Sequence, residues 1–141
     1  MSVSATLTID CSNYSDKIFD IILLFNKIGW TFVDGKMHYS LFDNNDVDFH
    51  YEDLNYEKLE EIITTRQSAG KFTSVRLYNS KLQTGFDLAA DSTKEITLLI
   101  DMDRKTINGS RYTDASFYII NTVGELNKID WKVEYYKFEE Y

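Results

Sequence analysis

Two hydrophobic periods alternate along this chain, and that alternation limits its fold more than any other feature. Runs of segments with apolar residues at every second position are separated by three segments with helical spacing. Val3, Ala5, Leu7 and Ile9 alternate with Ser4, Thr6 and Thr8, as a strand with one buried face requires. Ser12 or Ser15 then supplies a cap, and Ile18, Ile21, Ile22, Phe25 and Ile28 recur at helical spacing until Gly29, predicting a helix over about 15–28. Residues 30–33 and 36–42 flank Asp34-Gly35, which accepts the positive φ angles of a type I′ turn, and so predict a hairpin. After the turn-prone Asp43-Asn44-Asn45-Asp46, Val47, Phe49 and Tyr51 alternate with Asp48, His50 and Glu52 as the next strand, whose polar face is acidic.

Asn55 caps a second helix with Leu59, Ile62 and Ile63 on one stripe and Gly70 past its last turn. Residues 72–78, 82–88 and 95–102 are three more strands, and Gly85 marks a bulge in the middle one. Thr113 caps a third helix with Phe117, Ile120 and Val123 turned inward, and residues 131–138 close the chain as a strand. The order is β-α-β-β-β-α-β-β-β-α-β, with hairpins making most of the connections. It predicts an α+β fold in which about three helices pack mainly on one face of an antiparallel or mixed sheet. At 141 residues without a proline or a repeat, the chain reads as a single α+β domain over 1–141.

Charge narrows the function. The formal net charge is −8, and residues 43–61 hold Asp43, Asp46, Asp48, Glu52, Asp53, Glu57, Glu60 and Glu61 against the single base Lys58. Nucleic acid and anionic membranes would be repelled at every approach, so neither is expected as a partner. Such a block keeps a surface hydrated, or steers a basic partner onto it. With His50 between its acids, the segment is the predicted partner surface. It is joined by Tyr136, Phe138 and Tyr141 from an aromatic tail with no clear buried side.

Catalytic and metal motifs are tested and set aside. Read from Asn44 as a calcium loop, the acidic turn has Phe49 where a glycine must turn the chain and Asn55 where a bidentate carboxylate is needed. Asp101 and Asp103 at a strand end could share a face and hold magnesium for a phosphotransferase or hydrolase, the enzymatic alternative, but no glycine-rich phosphate loop accompanies them. His38 and His50 read as surface histidines and the lone Cys11 as a buried thiol. No catalytic residue, cofactor or metal is expected. With one cysteine, no signal-like N-terminus and no apolar run long enough to span a bilayer, the expected compartment is the cytoplasm.

A small, proline-free, strongly acidic α+β domain with its charge gathered over 43–61, ten tyrosines and no catalytic signature resembles the immunity proteins of bacterial contact-dependent inhibition and related polymorphic toxin systems. The family shares no single fold, so the resemblance transfers no residue roles. It implies a cytoplasmic antidote that binds one cognate toxin domain, often a basic nuclease, and blocks its active site or substrate surface. A phage-encoded acidic inhibitor that mimics nucleic acid, or an acidic adaptor of a larger complex, would carry the same charge signature.

Overall fold

A computed structural model of the chain describes residues 4–43, 46–129 and 131–141. Val3, the Asn44 and Asn45 turn and the side chain of Asp46 lie outside the described residues. Seven strands form one antiparallel sheet: β1 (Ala5–Ile9), β2 (Lys36–Asp43), β3 (Asp46–Asp53), β4 (Thr73–Asn79), β5 (Thr84–Ala90), β6 (Ile96–Met102) and β7 (Tyr136–Glu140). Their order across the sheet is β3-β2-β4-β5-β6-β1-β7, so β3 and β7 are the two edges. The predicted α+β class holds, with every pairing antiparallel.

One parity of strand residues builds the core. Leu7 and Ile9, Met37 and Tyr39, Val75 and Leu77, Phe86 and Leu88, Leu98 and Ile100 are all buried. They meet α1 (Ile18–Lys27) through Ile21, Ile22 and Phe25, α2 (Tyr56–Ser68) through Leu59 and Ile63, and α3 (Ala115–Ile119) through Tyr118. The opposite parity, including Leu99, Arg76, His38 and Phe49, is not covered by a helix. The sheet therefore has a packed face and an open one.

Local signals act as read at several points. Asn55 Oδ1 accepts from Lys58 N at 3.1 Å as the α2 cap. The register between β5 and β6 shifts between Gly85 and Asp87, and a Cβ at Gly85 would sit 2.7 Å from Leu77 O and 2.8 Å from Met102 Cε. Neither Ser12 nor Ser15 caps α1, which begins at Ile18. The Ile18 amide is instead satisfied at 2.9 Å by Gln67 Oε1 from α2, whose Nε2 donates to Asp16 O.

Three expectations are corrected. Asp34 and Gly35 do take positive φ, at 55° and 64°, but residues 30–33 form no strand. Trp30 is drawn into the core, its ring 4.4 Å from Phe86 and its Nε1 donating to Asn121 O, and Thr31 makes an isolated bridge to Tyr78. In the third helix, Asp114 rather than Thr113 accepts the capping bond from Phe117 N, and the chain winds π-helically over Ile120–Gly124. Tyr118, Thr122, Val123 and Leu126 face inward, while Ile120 is 61% exposed. The closing strand is confined to Tyr136–Glu140; upstream the Val133 amide bonds to Asn127 Oδ1 outside the ladder, and Trp131 is tied to Asn13 through its indole Nε1.

Candidate partner surface at the β3 edge and the open sheet face

The acidic segment supplies the rim of the sheet and the helix beside it. Asp48, His50 and Glu52 project from β3 toward the helical layer. There the His50 ring stacks on Tyr39 (4.7 Å, 3° between planes), and Glu52 accepts from Tyr39 Oη at 3.1 Å and from Lys58 Nζ of α2. Asp48 meets His50 Nε2 at 2.8 Å. Glu57, Glu60 and Glu61 stand exposed on α2, with Glu57 in its first turn, where the helix dipole favours an acid. The Glu52 to Lys58 ion pair thus ties the polar side of β3 to α2, with Asp48 on one side of the junction and the exposed acids of α2 on the other.

Folding brings bases to part of this charge. Asp43 binds Arg66 at 2.9 Å and Lys71 at 3.6 Å, and its pairing with the Arg66 guanidinium holds its carboxyl below the usual range. Lys36 does the same for Asp53, and Lys58 for Glu52. Lys36, Arg66 and Lys71 all come from outside the segment, and these three reduce its excess of seven negative charges to four. Among the described side chains, the acids of the segment that keep their field are those of α2 together with Asp48.

The aromatic tail lies elsewhere. Tyr136 and Phe138 register with Ile9 and Leu7 of β1 on the packed side, where Phe138 is half-buried against the core, and Tyr141, 72% exposed, pairs its backbone with Ser4. Six strand spacings separate β7 from β3, about 29 Å. The two groups of predicted contact residues therefore do not form one patch.

Sequence reasoning missed the open face. The apolar alternation in β3 is real, but Val47, Phe49 and Tyr51 point away from the helices, and Phe49 and Tyr51 are 77% and 62% exposed. Next to them His38 meets Tyr51 edge to face at 4.2 Å, and Arg76 binds Asp87 through Nε at 3.0 Å and Nη2 at 3.3 Å. Burial, with help from Arg76, pushes the His38 imidazole below its ordinary pKa; burial, with help from Asp87, pushes Asp101 up. The period-2 pattern marks these residues as sharing a face. It holds no signal that the face is bare.

Elsewhere the chemistry is quiet. Cys11 is fully buried, and that burial, reinforced by Asp10, pushes its thiol up to about 12. Asp103 falls beyond the end of β6 with φ of 47°, so the strand alternation that would pair it with Asp101 stops. It accepts instead from Tyr78 Oη at 2.8 Å. Among the described residues no three His, Cys, Asp or Glu side chains are grouped to hold a metal ion, and no helix is long and apolar enough to cross a membrane. No family model, curated protein or solved structure matches this chain.

Proposed function

We propose that this chain is an immunity-type binding protein that neutralises a basic toxin domain by occupying its positive surface. The observation that carries the reading is the negative surface shared by β3 and α2, bordered across the thickness of one strand by the exposed rings of Phe49 and Tyr51. Carboxylates at a solvated rim speed the encounter with a basic protein and select against acidic ones. Large aromatic rings left in water next to them supply apolar area for the bound state, since Tyr and Phe are enriched where proteins meet. A nuclease cleft shaped for phosphates would present the complementary charge.

Co-purification from the native host, followed by identification of the bound protein, tests the proposal. That protein must be basic, must lose its toxic activity when this chain is added at equimolar ratio, and must associate more slowly with an Asp48→Lys, Glu60→Lys variant. The expected loss is about tenfold at low salt, shrinking as salt is raised. A neutral or acidic partner, or equal association of the variant and the native chain at low ionic strength, refutes the reading.

A further inference from the structure

The free side of β3 exposes backbone as well as side chains. Gly35 O accepts from Leu54 N at 2.8 Å, and the register of Met37 with Glu52, Tyr39 with His50 and Leu41 with Asp48 continues that pairing at every second residue. In an antiparallel ladder the pairs in between exchange no hydrogen bonds. The N–H and C=O groups of Val47, Phe49, Tyr51 and Asp53 therefore point away from β2 along the sheet edge, and no partner meets them among the described residues. The register with β2 runs without a bulge, so nothing kinks this edge out of reach. The other edge strand, β7, has five residues against the eight of β3, and its Glu140 carboxylate is already held by the Thr113 amide.

Side chains decide which strand fits there. Residues of an added strand that stand opposite Val47, Phe49 and Tyr51 would lie on the open side, and those opposite Asp48, His50 and Glu52 on the helical side. Val47 and Phe49, 46% and 77% exposed, favour apolar neighbours. On the helical side Asp48 meets only the His50 imidazole and Glu52 only Lys58 among basic groups, while Glu57, Glu60 and Glu61 of α2 are exposed. A lysine or arginine opposite Asp48 makes a favourable cross-strand pair, and an acid an unfavourable one. Charges on an edge strand guard it against indiscriminate pairing, and here they leave it open to a strand of opposite charge. A second copy is a poor occupant, because pairing β3 with itself sets Asp48 and Glu52 beside the same acids of another chain of net charge −8.

We propose that the outer edge of β3 accepts one antiparallel strand of the basic partner, in which apolar residues on the open side alternate with lysine or arginine on the helical side. It rests on the immunity-type reading only for who supplies the strand, and its test needs no partner. The probe is a blocked peptide of alternating lysine and valine, titrated into the full chain while amide hydrogen exchange is followed residue by residue by NMR. In the free chain the amides of Val47, Phe49 and Tyr51 should exchange faster than those of Asp48 and His50, which face β2. At about 90% occupancy the three fast amides should slow about tenfold, since only the free fraction exchanges. The same residues in two blocks, or alternating glutamate and valine, should bind at least about tenfold more weakly. The valine N–H groups face β3 in this register, so N-methylation of the valines should abolish the slowing and N-methylation of the lysines should preserve it. No saturable slowing at millimolar peptide, equal binding of either control, or loss of slowing on lysine methylation overturns the proposal. Slowing with protein concentration alone would assign the edge to a second copy and overturn it as well. Peptide addition alongside a partner insensitive to charge reversal would remove the proposed function and keep the docking edge. A charge-sensitive partner that leaves these three amides unprotected would do the reverse.

Discussion

Tyr118 ties α3 to the sheet through a hydrogen-bond relay whose direction is fixed by chemistry. Its ring is fully buried, and Oη lies 2.8 Å from Lys105 N and 2.7 Å from Thr84 Oγ1, which in turn lies 3.0 Å from Met102 O. A carbonyl only accepts, so Thr84 must give its single proton to Met102 and must accept from Tyr118. Tyr118 is then free to accept from the Lys105 amide. Tyr118→Phe keeps the ring and its edge-to-face contact with Phe117, but removes two bonds and leaves the Lys105 N–H and a Thr84 lone pair without partners. At about 1 kcal/mol per lost bond plus the desolvation of an orphaned amide, the cost is about 2–3 kcal/mol. Thr84→Val should cost about 2 kcal/mol, because it removes the donor to Met102 O and leaves the Tyr118 hydroxyl proton without its acceptor. Both single variants lose the Tyr118 to Thr84 bond, so the double variant should cost about 1–2 kcal/mol less than their sum. Urea unfolding with unchanged m-values measures all four corners of the cycle. Strict additivity, or a Tyr118→Phe cost below about 0.5 kcal/mol, would refute the relay.

Three further outcomes are expected. Burial raises the Cys11 thiol from 9.0 to about 12, which leaves roughly a thousandfold less thiolate at a given pH; native protein should resist an aromatic disulfide reagent at pH 8 and react fully in denaturant, and rapid stoichiometric reaction of the native chain would refute this. The folded His38 pKa lies below its ordinary 6.5, so the unfolded chain takes up that proton first and stability should decline as pH falls below about 6.5; urea midpoints between pH 4.5 and 7.5 should lose this part of the slope in His38→Gln, and identical profiles would count against it. The buried Arg66 donates to Phe72 O, Thr73 Oγ1 and Asp43 Oδ1, a fork that lysine cannot reproduce; Arg66→Lys should cost about 2 kcal/mol by urea unfolding, and a cost under about 0.5 kcal/mol would show the fork to be dispensable.

Legibility in the sequence follows the range of the interaction that decides each element. Asn55 and Gly85 act within a turn or across one strand pair, and their side-chain chemistry announces them. The hairpin expected around Asp34-Gly35 fails although the dipeptide adopts the expected φ angles, because β2 already has β3 on one side and β4 on the other, leaving no edge for residues 30–33. In the third helix Tyr118 already turns inward within α3, its hydroxyl held between Thr84 and Lys105, and from Ile120 the chain winds π-helically, which no residue type in that stretch announces. The α1 amide cap comes from Gln67, far along the chain. In β3 the period was readable and the facing was not. An alternating strand does not reveal which of its sides the helices cover, and at a sheet edge the apolar side can be the bare one.

The same ambiguity shapes how a partner could use this surface. In β3 the carboxylates of Asp48 and Glu52 point to the helical side, while Phe49 and Tyr51 point to the open side. The strand itself is the boundary between them. A partner resting only against α2 meets the field of Glu57, Glu60 and Glu61 but none of the aromatic area. One resting only on the open face reaches the rings, Ser40 and Ser74 with little of that field. On the proposed reading, steering and anchoring would fall to two sides of one edge strand, and a partner that uses both must straddle β3. This arrangement also explains why a charge count along the sequence overstates the acidic segment. Asp43 and Asp53 are paired with Arg66, Lys71 and Lys36 at the ends of β2 and β3, and among the described side chains the outer face of α2 with Asp48 carries the charge that remains.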